Sequence, residues 1–164
     1  MKIKTRPLVF SAMIAAMYIA LTLANIGYSY GGVQFRVSEA LTVLPFLFPE
    51  TIFGLFVGCL ISNMFSPIGL PDVVIGSLAT LAAAFLTSKC RTKWLAPVPP
   101  IVINAIFIGM LVTLFYTPGT EAGGVAFAVT ALQVGAGQIA VCFGLGMPLL
   151  LLLEKTRIKA RLRL

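Results

Sequence analysis

The stretch VQFRVSEALTVLP, residues 33–45, places an arginine, a serine and a glutamate in a chain that is otherwise almost continuously apolar. Arg36 and Glu39 are three residues apart, so on a helix they would share one face of the first turn and face each other or a common ligand. An ionisable residue at or within a bilayer is costly unless it is paired or faces water, so the pair marks a candidate functional site. The alternative is a structural ion pair that reaches the membrane interface and fixes the turn.

The amino-acid composition alone indicates the structural class of the protein. Apolar residues make up 59% and charged residues 10% of the 164 residues, and the mean hydropathy is +1.03. These values lie outside the range of soluble domains, and the apolar segments are long enough to span a bilayer. The sequence therefore predicts an all-α integral membrane protein.

Residues with catalytic or metal-binding chemistry are scarce in the sequence. There is no histidine, and the three cysteines, Cys59, Cys90 and Cys142, have no CxxC spacing, so we expect neither a metal site nor a disulfide framework. The sequence also lacks a GxxxxGK[ST] phosphate loop and the HExxH motif. We therefore expect a protein that is not an enzyme and that holds no cofactor of its own.

The positive charges indicate an orientation in the membrane. All of them except Arg36 precede the first apolar segment, form one short loop or end the chain, namely Lys2, Lys4, Arg6, Lys89, Arg91, Lys93, Lys155, Arg157, Lys159, Arg161 and Arg163. Because cytoplasmic segments are enriched in lysine and arginine, we expect both termini and this loop to be cytoplasmic. Attraction to anionic lipid then accounts for the net charge of +7 without a nucleic-acid partner.

We predict a single domain, residues 1–164, with six transmembrane helices at about 8–24, 36–48, 51–65, 72–88, 97–116 and 125–153. An even number of spans places both termini on one side, as the basic residues require. The second helix is short, at roughly 18 Å against a hydrocarbon core of about 30 Å, so it must tilt, extend or re-enter. Two alternatives are four spans with a re-entrant pair, and a first segment that is a cleavable signal peptide.

Small residues follow a regular spacing in the first segment. Ala12, Ala16 and Ala20 recur every four residues, and Gly54 and Gly58 form a similar pair in the third segment. Small residues let helices approach closely in lipid, where no hydrophobic force drives association. The alanine stripe could serve packing within this chain or docking of a partner.

Polar side chains cluster near one side of the predicted bundle. The set is Arg36, Glu39, Asn63, Asp72, Glu121, Gln133 and Gln138. This clustering predicts a binding pocket open to the outside, beneath a Gly- and Tyr-containing loop, NIGYSYGG, that could act as a lid. As alternatives, Asp72 could cap the fourth helix, Glu121 could be a solvated loop charge, and the amides of the later segments could form interhelical hydrogen bonds.

The runs VQFRVSEALTVLPFLFPETIFGLFVGCLISN (33–63), DVVIGSLATLAAAFLT (72–87), PPIVINAIFIG (99–109) and GAGQIAVCFGLGMPLLLLL (135–153) resemble the QueT family over nearly the whole chain. That family comprises S components, the substrate-binding subunits of energy-coupling factor (ECF) transporters, for queuosine precursors. The resemblance implies a six-helix S component of the bacterial cell membrane that captures 7-aminomethyl-7-deazaguanine or a related 7-deazapurine from outside. It also implies partners, namely a transmembrane coupling protein and two cytoplasmic ATPase subunits that use ATP.

The resemblance further implies roles for particular residues. In S components an alanine motif of the first helix meets the coupling protein, and Ala12, Ala16 and Ala20 match that motif. The loop between the first two helices serves as a gate over the ligand. In this chain the gate would include Gly31, Gly32 and Gln34.

A guanine-like ligand edge offers two adjacent N–H donors, which one carboxylate can accept together. We therefore expect Glu39 to take that edge, while Arg36 holds Glu39 in place or donates to the ligand carbonyl. Asp72 is the best candidate for a second carboxylate that would favour a cationic aminomethyl group. Amide contacts and ring stacking would come from Asn63, Asn104, Gln138, Tyr30, Phe35 and Phe107.

Two alternative functions are an S component for another vitamin or nucleobase, and a self-sufficient transporter of small solutes. The second alternative predicts uptake into vesicles that contain only this chain.

Overall fold

The computed structural model describes residues 5–30, 35–116 and 123–156, and all regular structure within these ranges is helical. In chain order the elements are α1 (Thr5–Ala24), α2 (Ile26–Ser29), a 3₁₀ helix (Val37–Phe46), α3 (Thr51–Asn63), α4 (Asp72–Ser88), a 3₁₀ turn (Lys93–Leu95), α5 (Val98–Tyr116), α6 (Gly123–Val141) and α7 (Met147–Lys155). The first turn of α4, Asp72–Gly76, is a π-helix, and a second π segment, Cys142–Gly146, joins α6 to α7.

Three helical stretches are long and apolar enough to cross a membrane, namely Thr5–Ala24, Lys93–Tyr116 and Gly124–Lys155. Three further apolar stretches are shorter, namely Val37–Phe46, Thr51–Asn63 and Asp72–Ser88. The predicted all-helical fold is confirmed for the described residues, and three of its helices have the length and composition of membrane spans. The count of six spans and the cytoplasmic position of the termini stay predictions.

The second apolar segment is a 3₁₀ helix of 10 residues, Val37–Phe46, and forms the centre of the bundle. Two sequence features favour this tighter winding: Pro45 has no N–H to donate, and the Thr42 hydroxyl donates to the Glu39 carbonyl at 2.6 Å. A 3₁₀ helix rises by about 2.0 Å per residue, so the segment extends over roughly 20 Å. All residues from 38 to 45 are buried, so this segment is surrounded by the other helices.

Close backbone contacts at glycines set the packing of the helices around it. α1 lies along α3, and a Cβ at Gly54 would lie only 2.1 Å from the Ser11 carbonyl oxygen. α5 lies along α6, and a Cβ at Gly109 would lie 2.9 Å from the Cα of Ala131. Because these pairs leave no room for a side chain, the glycines fix the separation of the helices.

Two apolar clusters flank the polar centre of the bundle. One joins α1, the 3₁₀ helix, α3 and α4 through Ile14, Tyr18, Leu41, Leu44, Leu55, Cys59 and Ala84. The other joins α5 and α6 to the loop before α4 through Ile68, Ile108, Leu111, Val112 and Val134. The clusters hold the end of α3 and the start of α4 beside the start of the 3₁₀ helix. Most of the polar residues predicted for the site lie there.

Candidate functional site

Arg36 stands directly before the 3₁₀ helix and turns towards α3 and α4. Its guanidinium donates from Nη1 to Asn63 Oδ1 at 3.0 Å, and Nη2 lies 3.7 Å from Asp72 Oδ2. Its backbone is extended, with φ −98° and ψ 98°, so its side chain does not follow the helix face that carries Glu39. The structure therefore pairs Arg36 with Asp72, and Glu39 takes other partners.

Glu39 is buried among neutral hydrogen-bond donors. Its Oε1 accepts from the Tyr18 hydroxyl at 2.5 Å, and its Oε2 accepts from Asn104 Nδ2 at 3.3 Å. Because an isolated buried carboxylate is strongly disfavoured, these hydrogen bonds offset part of the cost of burying it. Both oxygens of Glu39 thus already have partners within the protein.

Asn63, at the end of α3, joins Arg36 to the start of α4. Its Oδ1 accepts from Arg36, and its Nδ2 donates to the backbone carbonyl of Asp72 at 2.9 Å. Gly76 provides the space for this arrangement, because a Cβ there would lie 2.6 Å from both Asn63 Nδ2 and Asp72 Oδ1. The π turn at Asp72–Gly76 therefore brings a small residue against the two polar side chains.

Asp72 lies in the first turn of α4 and is fully buried, at 0% exposure. It does not cap the helix, since the start of α4 has no hydrogen bond from a capping side chain, so the capping interpretation is wrong. Within the described part of the chain, neither Asp72 Oδ1, Asp72 Oδ2 nor Arg36 Nη2 has a hydrogen-bond partner. Since nearly all buried polar atoms in proteins are hydrogen-bonded, these three atoms stand out.

Gln138 and the three aromatic residues predicted for the site differ in their positions. Gln138 is buried, and its Oε1 lies 3.6 Å from Cys142 Sγ, which is itself 3.7 Å from the Glu39 carbonyl oxygen. The Tyr30 ring lies 4.8 Å from the Arg36 guanidinium, so one of its faces is covered. Phe35 is 38% exposed and Phe107 44% exposed, so neither belongs to the buried cluster.

Of the remaining polar residues and the gate residues, one is described and the others lie outside the described ranges. Gln133 is exposed on α6. The predicted gate residues Gly31, Gly32 and Gln34, together with Glu121, lie outside the described residues.

Sequence reasoning missed two residues of α1 that support the site. Tyr18 donates to Glu39, and the Thr22 and Ser38 hydroxyl oxygens are 2.7 Å apart in a hydrogen bond. Tyr18 and Thr22 are four residues apart, so they share a helix face. That spacing of two hydroxyl side chains within an apolar segment was the available signal.

The alanine stripe of α1 lies on the other side of the helix. Ala12, Ala16 and Ala20 are exposed, whereas the buried positions of α1 are Ser11, Ile14, Tyr18 and Thr22. A groove of about 390 Å³ runs beside the stripe, between α1 and α3, and is almost entirely apolar. The stripe therefore does not pack into the core of this chain.

An apolar helical bundle that buries a guanidinium, two carboxylates and several amides, some with unused hydrogen-bonding capacity, is typical of membrane proteins that bind or transport small polar molecules. A family model described as the QueT transporter matches residues 8–155. The chain belongs to the QueT transporter family.

A curated relative shows the same similarity at the level of sequence. The chain is similar to the queuosine precursor transporter QueT of Lactococcus lactis subsp. cremoris (strain MG1363), with 42% identity over 82 residues. The aligned part covers 49% of this chain and 48% of the relative, so the similarity spans about half the length of each. No solved structure matches the chain.

Proposed function

We propose that this chain is the substrate-binding S component of an ECF-type importer and captures a queuosine precursor at the outer face of the bacterial cell membrane. The ligand would be 7-aminomethyl-7-deazaguanine or a related 7-deazapurine. The observation that carries the proposal is the buried cluster of Arg36, Glu39, Asn63, Asp72 and Asn104 in a chain of the QueT transporter family. The name of the Lactococcus relative supports the substrate class.

The cluster has the chemistry that a small, flat heterocycle requires. It offers carboxylates that accept hydrogen bonds, a guanidinium that donates them and amides that can both donate and accept, all of them buried. Hydrogen bonds to charged groups in a site without water are stronger than those between neutral groups, and they penalise ligands that lack the matching atoms. These properties support selective binding of a nucleobase-like ligand.

The charge of the cluster favours a ligand with one positive charge. Among the described residues, the buried ionisable side chains of the site are one arginine and two carboxylates, Glu39 and Asp72. With all three ionised, one negative charge stays uncompensated, and a buried uncompensated charge is costly. A cationic aminomethyl group would balance it, whereas a neutral cyano group would not.

Energy for uptake would come from partner subunits. The sequence contains no phosphate-binding loop of the GxxxxGK[ST] type, so we assign ATP hydrolysis to two partner ATPases. The exposed stripe of Ala12, Ala16 and Ala20, beside the apolar groove between α1 and α3, would receive a helix of the coupling protein. Small side chains allow the close helix contact on which such docking in lipid depends.

The proposed orientation follows from the basic residues and the direction of the helices. With the N-terminus, the loop around Arg91 and the C-terminus in the cytoplasm, α3 would end and α4 would begin at the outer side. Asn63 and Asp72 occupy those two helix ends. The cluster would then be reached from outside, as capture of an external ligand requires.

Binding and uptake measurements test the proposal. The purified chain in nanodiscs should gain thermal stability with 7-aminomethyl-7-deazaguanine and less with the 7-cyano compound, because a bound ligand stabilises the folded state. Proteoliposomes should take up the ligand only when the coupling protein and ATPases are present with ATP. Uptake by this chain alone would contradict the S-component role, and the absence of binding by any 7-deazapurine would contradict the substrate assignment.

A further inference from the structure

Among the described residues, three of the four buried side-chain polar atoms without a hydrogen-bond partner lie next to one another, and the fourth is Glu50 Oε2. Arg36 Nη2 is 3.7 Å from Asp72 Oδ2, which is beyond hydrogen-bond distance, and in the described part of the protein neither Arg36 Nη2 nor the two Asp72 oxygens accept or donate a hydrogen bond. Asp72 is 0% and Arg36 4% exposed. Together they present two acceptors and one donor.

Glu39 has no comparable free capacity at its carboxylate. Tyr18 and Asn104 donate to its two oxygens at 2.5 and 3.3 Å. A ligand that used both Glu39 oxygens as Watson–Crick-type acceptors would have to compete with these donors. Asp72 would accept such a ligand without losing any hydrogen bond within the described protein.

We propose that Asp72 and Arg36, and not Glu39, recognise the guanine-type edge of the ligand. The two Asp72 oxygens accept its adjacent N–H donors, and Arg36 Nη2, beside Oδ2, donates to its carbonyl oxygen. The order acceptor, acceptor, donor is the complement of the donor, donor, acceptor order on a guanine edge. This inference rests on the proposed function, and it reverses the roles that the sequence suggested for the two carboxylates.

Charge then assigns Glu39 to the other end of the ligand. Asp72 already has the Arg36 guanidinium beside it, whereas both hydrogen-bond partners of Glu39 are neutral. The uncompensated negative charge of the cluster is therefore at Glu39. A cationic aminomethyl substituent binds there, and Glu39 distinguishes it from a neutral substituent.

Isothermal titration in nanodiscs separates the two roles, with 7-aminomethyl- and 7-cyano-7-deazaguanine as probes. Asp72→Asn replaces one acceptor by a donor that faces a donor of the ligand. It should therefore weaken the binding of both probes by a similar factor, about a hundredfold. Glu39→Gln should weaken binding of the aminomethyl probe by about tenfold or more and change binding of the cyano probe little, because it removes one partner of a buried ion pair. The inference would be overturned if Glu39→Gln weakened the binding of both probes and Asp72→Asn weakened the binding of the aminomethyl probe alone.

A third probe tests the edge directly. 7-Aminomethyl-7-deazaadenine presents a C2–H and the N1 acceptor where the guanine type presents two donors, and an amino donor where the guanine type presents its carbonyl, so wild-type protein should bind it at least a hundredfold more weakly. Asp72→Asn loses one acceptor for the guanine type and can donate from its amide to N1 of the adenine type, so it should shift the ratio of the two affinities towards the adenine type. An unchanged ratio would contradict the role of Asp72.

Gly76→Ala provides a variant that keeps every charge. The added Cβ would lie 2.6 Å from Asp72 Oδ1 and Asn63 Nδ2. The variant should therefore weaken the binding of both deazaguanines equally. Gly144→Ala is the matched control, because a Cβ there meets nothing within 4 Å. A Gly76→Ala effect confined to the aminomethyl probe would overturn the inference alone, whereas failure of wild-type protein to bind either deazaguanine would overturn the proposed function and the inference with it.

Discussion

The hydroxyl of Tyr18 donates a hydrogen bond to Glu39 Oε1 at 2.5 Å, and through this bond α1 supports the buried site. The face of α1 that carries Tyr18 is buried, while Ala12, Ala16 and Ala20 on its other side are exposed. One helix therefore contacts the polar cluster on one face and offers a surface for close helix contact on the other. Ligand binding and partner docking would act on the same helix.

Tyr18→Phe should destabilise the protein by about 1–3 kcal/mol, because it leaves one oxygen of a buried carboxylate without its donor. Thermal unfolding in detergent measures the loss, and titration should show weaker binding of 7-aminomethyl-7-deazaguanine. Tyr28→Phe is the control, since Tyr28 is 75% exposed and should change neither quantity. Equal stability of the two variants would show that the hydrogen bond contributes nothing.

Gly54→Ala should separate α1 from α3. Its Cβ would lie 2.1 Å from the Ser11 carbonyl oxygen, a backbone atom that cannot move alone. We expect a loss of about 1–3 kcal/mol, typical of overpacking, as a lower unfolding temperature. Gly124→Ala, where a Cβ meets nothing within 4 Å, should leave that temperature nearly unchanged. A fully stable Gly54→Ala variant would contradict the close contact of α1 with α3.

Ala16→Leu should block partner docking and leave ligand binding intact. The side chain is exposed, so the chain can fold around the larger residue, but the added bulk prevents close approach of a partner helix. Uptake in proteoliposomes with the coupling protein and ATPases should fall by at least tenfold, while titration of the isolated chain stays unchanged. Ala136→Leu, on the exposed side of α6, is the control. Normal uptake by Ala16→Leu would remove the stripe from the interface.

The natural cysteines test the orientation without any mutation. Cys59 and Cys142 are buried, and Cys90 follows α4 in the basic loop. A membrane-impermeant maleimide should label Cys90 in inside-out vesicles and not in intact cells. Partial burial raises the pKa of the Cys90 thiol, so labelling should be faster at pH 8.5 than at pH 7, because the thiolate is the reactive form. Labelling of intact cells, absent in Cys90→Ser, would place this loop outside.

The class of the protein and the members of the polar cluster could be predicted from the sequence. A charged or amide side chain in an apolar segment is conspicuous, and the structure brings Arg36, Glu39, Asn63, Asp72 and Asn104 together in the bundle. Their partners could not be predicted in the same way. The pairing of Arg36 with Glu39 assumed that both belong to one helix, whereas the extended backbone of Arg36 turns its side chain towards Asp72.

Other features depended on geometry that local sequence patterns do not encode. The 3₁₀ winding of Val37–Phe46 depends on tertiary packing as well as on Pro45. The role of Tyr18 could not be predicted, because a tyrosine in an apolar helix is equally compatible with a position that faces lipid. In lipid both faces of a helix are apolar, so periodicity alone does not show which side is buried.

The winding of the central segment has a mechanical consequence. An α-helix rises by about 1.5 Å per residue and a 3₁₀ helix by about 2.0 Å, so rewinding the ten residues of Val37–Phe46 would shorten them by roughly 5 Å. Arg36 adjoins one end of this segment, and the Pro49–Glu50 turn follows the other. A change of pitch in this segment would therefore move the Pro49–Glu50 turn relative to Arg36 by about that distance.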